Sequence, residues 1–507
     1  MKPSTITLAL SLVASFVCGA DLTGHWVASQ AAANGPARET SYWFKAEGNT
    51  FAGYMWNERQ GYQPVVGGQV DGDRVTFVVV GDNFGVERRQ TYTATITPQG
   101  LAIHMTGGTQ STPRGQTDLI AKRVSSDLPP PMPQKISLPA PQPVKSNGLA
   151  KTPPMGWNSW NKFTDKVSDQ LVRETADAMV RNGMRDAGYV YLNIDDTWEA
   201  TRDAQGNIRA NDRFPDMKAM IAYVHGKGLK FGIYSSPGPK TCAGYEGSFQ
   251  HEEQDARTYA NWGVDYLKYD WCTANLVYQA SSMQAVYAKM GQALLHSGRP
   301  IVYSLCQYGV LKVQDWGAAV GGNLWRTTGD ISDRWASMSR IGFDQQTGLE
   351  EAAAPGHWND PDMLEIGNGG MSDIEYRTHM SLWSLLAAPL LAGNDLRSVS
   401  PEILAILTNK EAIAIDQDTL GKQGKRVSKA GDLEVWMRPL AGGAYAAGLF
   451  NRGESPARMT LRPADIGIAS FLKLRDLWAH ADVASTTEFS GEVPAHGVIL
   501  LRVEGRK

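Results

Sequence analysis

The chain has 507 residues, which is too long for one hydrophobic core, so several domains are expected. Hydrophobic residues make up 42% of the sequence and charged residues 20%, as in an ordinary globular protein. The net charge of −3 gives no electrostatic reason to expect nucleic acid or a membrane surface as a partner.

The first 20 residues have the pattern of a secretory signal peptide. Lys2 supplies the positive charge, Ile6–Val17 is an apolar run too short to span a bilayer comfortably, and Cys18–Ala20 offers small residues for cleavage. A lipoprotein that keeps Cys18 is an alternative, but Val17 is a poor match for the small residue needed before that cysteine. No other segment is a transmembrane candidate, so we expect a soluble, exported protein.

Residues 21–123 are predicted to form a small all-β domain. Alternating runs such as Arg74–Val80 and Thr91–Ile96 are separated by turn pairs such as Asp71-Gly72. Its aromatic residues include Trp43, Tyr54, Trp56 and Tyr62. Packing in the β core is the simpler interpretation of these rings, and a surface that stacks on sugar rings is the alternative.

The Pro-rich stretch Pro129–Pro143 follows this domain. Such a composition is typical of an extended, semi-rigid spacer without a core of its own. We therefore predict a linker over residues 124–147.

From residue 148 to 418 the pattern changes to alternating strands and helices. Ser168 can cap a helix whose apolar residues recur at helical spacing as far as Val180, and Gly183 ends it. The strand candidates are Met155–Trp160, Tyr189–Ile194, Leu229–Tyr234, Val264–Tyr269, Ile301–Leu305, Asn323–Thr327, His357–Pro361 and Leu390–Asn394. Repeated βα units over this length predict a (β/α)₈ TIM barrel, the catalytic domain of a multidomain chain.

A doubly wound open sheet is the structural alternative for this region. It is less favoured because no Gly-rich phosphate-binding motif follows the first strand. Beyond the barrel, short β runs return at 433–437, 444–450, 457–461 and 498–503. These runs predict a C-terminal antiparallel β-sandwich over residues 419–507.

The ends of the predicted barrel strands, where barrel enzymes place their active sites, are unusually acidic. The acidic clusters are Asp195-Asp196, Lys268-x-Asp270, Arg326-x-x-x-Asp330 and Asn359-Asp360-x-Asp362, with Trp157, Tyr234, Trp271 and Trp325 among them. Carboxylates with aromatic platforms, and without a histidine cluster, favour glycoside hydrolysis. That reaction needs one carboxylate at the anomeric centre and one carboxylic acid that protonates the leaving oxygen.

Each of these residues also has a structural interpretation. An aspartate after a strand often caps the next helix, and spacing alone does not decide whether Asp330 or Asp333 is catalytic. Lys268 and Arg326 can belong to structural ion pairs. A divalent-metal hydrolase is the second chemical interpretation, but these two cations lie close in sequence to the candidate ligands, and no cysteine pair has zinc-site spacing.

Five motifs, in this order, resemble those of glycoside hydrolase family 27, the α-galactosidases and α-N-acetylgalactosaminidases. They are MGWNSW at Met155–Trp160, IDD at Ile194–Asp196, YLKYDWC at Tyr266–Cys272, WRTTGDI at Trp325–Ile331 and WNDPDM at Trp358–Met363. The resemblance runs over about 151–418 and continues weakly into the C-terminal region. It implies a retaining exo-glycosidase that removes terminal α-D-galactosyl residues from oligosaccharides or polysaccharides, without a metal or cofactor.

The resemblance also implies roles for individual residues. Asp270 would be the nucleophile and Asp330, rather than Asp333, the acid/base. The side chains expected to bind the sugar are Trp157, Asp195, Asp196, Tyr234, Lys268, Gln307, Arg326 and Asp362.

The cysteines fit the same resemblance. Cys242 and Cys272 match a disulfide of the family that flanks the site, whereas Cys306 has no partner for a second bridge and is expected to be a buried, free thiol.

One departure from the family concerns the sugar's 2-position, where many members have a Glu-Trp pair and this chain has Gln307-Tyr308. A neutral amide can still bond a 2-hydroxyl, and its bulk opposes an N-acetyl group, which favours galactose. The alternatives within the family are α-N-acetylgalactosaminidase and β-L-arabinopyranosidase, the latter differing at C5 near Asp195 and Asp196. A galactoside-binding protein without catalysis is disfavoured because both carboxylates are present.

Overall fold

The computed structural model describes residues 21–30, 38–57, 60–83, 86–106, 119–484 and 487–506. The predicted signal peptide lies outside these residues. The chain divides into two units, residues 1–135 and 136–507. None of the helices in the described residues is long and apolar enough to cross a bilayer.

The first unit is an antiparallel sheet that closes on itself through pairing of its first and last strands. Its strands are β1 (Gly24–Gln30), β2 (Arg38–Glu47), β3 (Thr50–Asn57), β4 (Gly61–Asp71), β5 (Arg74–Asn83), β6 (Val86–Thr97), β7 (Gly100–Thr106) and β8 (Leu119–Ser125). Alternate side chains, including Tyr42, Phe44, Phe51 and Phe77, point inward and form one hydrophobic core.

The aromatic residues singled out in the sequence alternate with these core residues and form a row outside that core. Ring centroids are 5.0 Å apart for Trp43 and Tyr54, 5.5 Å for Tyr54 and Tyr62, and 6.4 Å for Trp56 and Tyr62. Tyr54 is buried and its hydroxyl donates to the Pro130 carbonyl at 2.8 Å, whereas the other three rings are half-buried. Filling of the β core is therefore wrong as an interpretation of these three rings.

The second half of the predicted linker is bonded to the unit that follows it. The amides of Ile136 and Val144 donate to the carbonyls of Val277 and Ala319, at 2.7 and 2.8 Å. An extended Pro-rich chain has no internal hydrogen bonds, so its backbone groups are available for such contacts. From Ile136 onward the segment lies against the catalytic domain instead of spanning solvent.

The centre of the second unit is a sheet of eight parallel strands, and it contains all eight strand runs predicted from the sequence. In chain order the strands here are β9 (Met155–Asn158), β10 (Tyr191–Asn193), β11 (Glu199–Ala200), β12 (Arg209–Ala210), β13 (Lys230–Ser235), β14 (Tyr266–Asp270), β15 (Val302–Cys306), β16 (Leu324–Arg326), β17 (Trp358–Asp360) and β18 (Leu390–Ala392). β11 and β12 form a separate two-stranded ribbon. The sheet order is β17-β16-β15-β14-β13-β10-β9-β18, and a parallel bridge from Leu364 to Ala392 joins the segment after β17 to β18.

Helices alternate with these strands. They are α1 (Trp160–Phe163), α2 (Asp169–Arg181), α3 (Met217–Gly226), α4 (Glu252–Trp262), α5 (Ala274–Val277), α6 (Met283–Leu295), α7 (Trp335–Ser339), α8 (Asp373–Leu386), α9 (Pro401–Leu407) and α10 (Lys410–Asp416). The predicted cap of α2 is confirmed, because the Ser168 hydroxyl accepts from the Leu171 amide at 3.3 Å.

The C-terminal region is the predicted β-sandwich. Its strands are β19 (Lys425–Ala430), β20 (Leu433–Pro439), β21 (Tyr445–Asn451), β22 (Ala457–Leu461), β23 (Ser470–Asp476), β24 (Ala481–Val483), β25 (Phe489–Val493) and β26 (Val498–Arg506). A six-stranded sheet and the β22–β25 pair share one core, to which Leu449 and Leu461 contribute. The buried Arg438 joins this domain to the barrel by donating to the carbonyls of Ser384 and Asp416, at 2.6 and 3.2 Å.

We expect Leu385→Ala to destabilise the second unit by about 2–5 kcal/mol, because it opens a cavity between α8 and the sandwich. Leu385 is fully buried, and a Cβ at Gly448 of β21 would lie only 2.7 Å from its Cδ1. Chemical denaturation measures the change. Ile374→Ala on the same helix is the matched control, since Ile374 is 42% exposed and its truncation should cost little. Equal losses in both variants would contradict this account of the domain contact.

Candidate active site

A cavity of about 770 Å³ opens at the ends of the parallel strands. The predicted residues that line it are Asp195, Asp196, Tyr234, Lys268, Asp270, Arg326, Asp330 and Asp362. Strand register explains part of this convergence, because Tyr234 pairs with Lys268 across β13 and β14, and Asp270 pairs with Cys306 across β14 and β15. Residues at the same level of neighbouring parallel strands point into the same space.

Two predicted residues are not brought to the cavity wall. Trp157 is fully buried within β9 and its indole N–H donates to the Asn394 carbonyl at 2.8 Å, while Gln307 is also fully buried. Trp160 and Tyr308 line the cavity in their place. Trp160 stands just past the end of β9, so a rule that favours residues beyond the strand end would have selected it instead of Trp157.

Asp195 and Asp196 follow β10 and are both buried. Asp195 Oδ2 accepts from Lys268 Nζ at 2.9 Å and from Asn158 Nδ2 at 2.8 Å. Asp196 accepts from the amide of Ala243 at 2.8 Å. Burial raises the pKa of Asp196 to about 6, although hydrogen bonds to Asp196 from Thr241 and from the amides of Ala243 and Thr197 oppose the shift.

Asp270 ends β14 and is only 6% exposed. Its Oδ2 accepts from the Tyr234 hydroxyl at 3.1 Å, and within the described part of the chain its Oδ1 is buried without a hydrogen-bond partner. Burial raises the pKa of Asp270, whereas the charge of Lys268 and the nearby Tyr308 hydroxyl oppose that rise. The result is a desolvated carboxylate held next to a cation.

Arg326 connects two carboxylates on the other side of the cavity. It lies 2.9 Å from Asp362 and 3.1 Å from Asp330. The Asp330 side chain is 73% exposed, so it is open to solvent and to an incoming ligand. Asp333 also lines the cavity, but its carboxylate accepts from the Tyr376 hydroxyl at 2.9 Å and from the Gly370 amide, which fits a structural role.

The disulfide and the free thiol that the family resemblance implied are both confirmed. Cys242 and Cys272 form a disulfide with their Cα atoms 4.9 Å apart, and Cys306 is a buried free thiol. Among the described residues, one group has the spacing of metal ligands, namely Cys242, Asp270 and Cys272. Its two sulfurs are joined to each other, and the cations Lys268 and Arg326 neutralise neighbouring carboxylates, so the arrangement fits carboxylate chemistry better than a divalent-metal site.

Sequence reasoning missed Glu365, which lines the cavity beyond Asp362. Asn368 Nδ2 donates to Glu365 Oε2 at 2.6 Å, and the Asn161 amide donates to Oε1. Burial raises the pKa of Glu365 to about 7. It lies in a loop six residues after the middle of β17, and no spacing signal in the sequence places it at the cavity.

Comparison with known proteins agrees with this geometry. A family model described as alpha galactosidase A matches residues 152–418, and one described as the alpha galactosidase C-terminal beta sandwich domain matches residues 430–503. Alpha-galactosidase 2 of Arabidopsis thaliana is 49% identical over 371 residues, which cover 72% of this chain and 92% of that protein. The chain belongs to the α-galactosidase family, glycoside hydrolase family 27. It is therefore a glycoside hydrolase.

Solved structures of family members are also similar. Alpha-galactosidase I from Mortierella vinacea is 36% identical, with a TM-score of 0.69 over 71% of this chain and 99% of that one. A β-L-arabinopyranosidase from Geobacillus stearothermophilus is 27% identical, with a TM-score of 0.64 over 71% of this chain and 97% of that one. The matched share in both corresponds in size to the barrel and sandwich.

The titration of Glu365 predicts a pH-dependent difference in stability. Its ordinary pKa is 4.5 and its folded value is about 7, so the folded state binds the proton more tightly. The free energy of unfolding of the wild type therefore falls as pH rises from about 4.5 to about 7. Glu365→Gln does not titrate in this range, so its stability relative to the wild type should increase over the same range, by about 3 kcal/mol at most.

Urea denaturation of both proteins at pH 4.5 and pH 8 measures this difference. Glu351→Gln is the control for loss of one negative charge, since the Glu351 side chain is 96% exposed. A Glu365→Gln difference that is the same at both pH values would show that folding does not raise this pKa.

Proposed function

We propose that this enzyme hydrolyses terminal α-D-galactosyl residues by double displacement, with Asp270 as nucleophile and Asp330 as acid/base. The observation that carries the proposal is the contrast between two carboxylates lining one cavity. Asp270 is almost fully buried, whereas the Asp330 side chain is 73% exposed, and the two interact electrostatically. Two carboxyl groups at one sugar site are what glycoside hydrolysis requires, and membership of the α-galactosidase family supports the retaining form of the reaction.

Asp270 has the environment of a nucleophile. Lys268 favours its ionised form, and the same cation bonds Asp195 at 2.9 Å, so the lysine is held in place. Oδ1 is the oxygen that attacks, because it has no hydrogen-bond partner among the residues that the structure describes, whereas Oδ2 accepts from the Tyr234 hydroxyl. Attack on the anomeric carbon forms the covalent glycosyl-enzyme as the bond to the leaving oxygen breaks.

Asp330 has the environment of an acid/base. Its exposed carboxyl can reach both the leaving group, which it protonates in the first step, and the water, which it deprotonates in the second. Formation of the ester removes the negative charge of Asp270. Attack of the activated water on the anomeric carbon then breaks the ester, releases the sugar with retained configuration and restores the Asp270 carboxylate.

The remaining charged groups suit recognition of sugar hydroxyls. Asp195 and Asp196 present buried acceptor oxygens next to the Lys268 ammonium group, and Arg326 with Asp362 forms a second polar pair. A sugar that lacks the matching hydroxyls leaves these buried polar groups without hydrogen-bond partners, so such a site discriminates strongly between sugars. Since Gln307 is buried behind the cavity wall, the choice of galactose over N-acetylgalactosamine depends on Tyr308 and its neighbours in place of that amide.

We expect Asp330→Ala to lower kcat on natural galactosides by about 10²- to 10⁴-fold, the usual contribution of general acid–base catalysis. Asp270→Ala should abolish turnover, because no covalent intermediate forms. With a nitrophenyl α-galactoside and azide, Asp330→Ala should yield the α-galactosyl azide, whereas Asp270→Ala should yield the β anomer. NMR of the products distinguishes the two.

The wild type must release α-galactose first if configuration is retained. Release of the β anomer would overturn both role assignments. Nitrophenyl α-N-acetylgalactosaminide and β-L-arabinopyranoside are the comparison substrates, and faster turnover of either would assign the enzyme to another specificity of the family.

We also propose that the amino-terminal strands form an accessory β domain that contacts carbohydrate. The half-buried rings of Trp43, Tyr62 and Trp56 support this, since Tyr62 lies next to both tryptophans and adjacent half-buried aromatic faces are what sugar rings stack on. In the full chain, Trp43→Ala combined with Trp56→Ala should weaken pull-down on insoluble galactomannan while kinetics on a nitrophenyl α-galactoside stay unchanged. Undiminished binding to the polymer would refute this role.

We infer that the chain is exported. The charge and apolar pattern of residues 1–20 supports this inference, and so does the Cys242–Cys272 disulfide, since such bonds persist in oxidising compartments.

A further inference from the structure

Two tyrosines contact the disulfide beside the Asp270 carboxylate. The Tyr234 hydroxyl lies 3.2 Å from Cys272 Sγ and 3.1 Å from Asp270 Oδ2. The Tyr308 hydroxyl lies 3.8 Å from Cys242 Sγ, and a carboxylate oxygen of Asp270 lies within 4.8 Å of that same sulfur. Tyr234 lies within β13, whereas Tyr308 follows the end of β15.

The backbone fixes where Tyr308 points. Tyr308 has a φ of 61° and Gly309 a φ of 74°, two successive residues in the left-handed region. A Cβ at Gly309 would lie 2.1 Å from the Thr327 carbonyl oxygen, so only glycine permits this turn. A tyrosine held in this strained conformation is typical of a functional site.

The side chain is held as well. The guanidinium group of Arg326 lies 5.9 Å from the centre of the Tyr308 ring, and the disulfide contacts the hydroxyl end. With its ring next to Arg326 and its hydroxyl next to Cys242 and Asp270, Tyr308 cannot change rotamer without breaking several contacts at once.

We propose that Tyr308 is a positioning residue for the nucleophile: its hydroxyl donates to Asp270, orients the carboxylate and favours its ionised form. This inference rests on the proposed function, in which Asp270 must be ionised to attack. Donation is the direction that the chemistry requires, because a carboxylate has only acceptor oxygens. The hydroxyl thus supplements Lys268 without adding charge to the site.

Several other groups around Asp270 also affect its pKa. The titratable and charged groups that face it are Lys268, Asp195, Asp330, Tyr234, Tyr308 and Cys306. Burial raises the pKa of Asp270, and the Tyr308 hydroxyl is one of the groups that oppose this rise. Without the hydroxyl, protonation of the nucleophile should begin at a higher pH.

The test is the pH profile of kcat/KM on a nitrophenyl α-galactoside for Tyr308→Phe. We expect the acid limb to move up by about one pH unit, since a hydrogen bond to a charged group has an effect of that size. Activity at low pH should then fall by about 10-fold, with KM near its wild-type value and the basic limb unmoved. An acid limb that coincides with that of the wild type would overturn the proposal.

Tyr223→Phe is the matched control. Its hydroxyl also donates to a carboxylate, that of Asp177 at 2.8 Å, but on the surface helices α2 and α3. The acid limb of this variant should coincide with that of the wild type. Tyr308→Leu is the second test variant, and an acid limb displaced as in Tyr308→Phe assigns the effect to the hydroxyl and not to the fit of the ring.

The two proposals fail in different ways. If the wild-type enzyme does not cleave the nitrophenyl α-galactoside, the proposed function is wrong. If it does, and Tyr308→Phe melts at the wild-type temperature with an unmoved acid limb, only the role of Tyr308 is wrong.

Discussion

The site depends on keeping one carboxylate, Asp270, charged in a place that almost excludes water. Burial disfavours the anion, and the protein opposes this with a cation two residues earlier on the same strand and with tyrosine hydroxyls. Lys268 remains protonated because the carboxylate of Asp195 raises its pKa, although burial acts the other way. The pKa values of Asp270 and Lys268 therefore depend on each other and on the neighbouring Asp195.

This balance requires the parallel barrel. Lys268 and Asp270 are two residues apart on β14, so both point to the same side of the sheet. Asp195 follows β10, Tyr234 lies on β13 and Arg326 on β16, so four strands contribute at one level. A charge cluster built from one segment would lack this precision, since loops hold side chains less firmly than strands do.

Much of this arrangement could be predicted from the sequence. The eight strand runs, the cap at Ser168 and the acidic residues after the strands follow from local pattern, because periodicity and capping act over a few residues. Local pattern does not decide between two adjacent positions. The cavity is lined by Trp160 and not Trp157, and by Tyr308 and not Gln307. Which side chain of each pair faces the cavity depends on where the strand ends and how the backbone turns.

The sequence by itself determined the order of the domains, the family and the carboxylates available for catalysis, since these follow from composition, spacing and motif. Only the tertiary structure decided that Glu365 lines the cavity and that the Pro-rich segment from Ile136 onward lies against the barrel. It also decided that the Asp333 carboxylate accepts a hydrogen bond from Tyr376, while Asp330 stays exposed. The physical reason is that burial and hydrogen bonding join residues far apart in the chain. The energy of a charge depends on those distant neighbours, which no local pattern specifies.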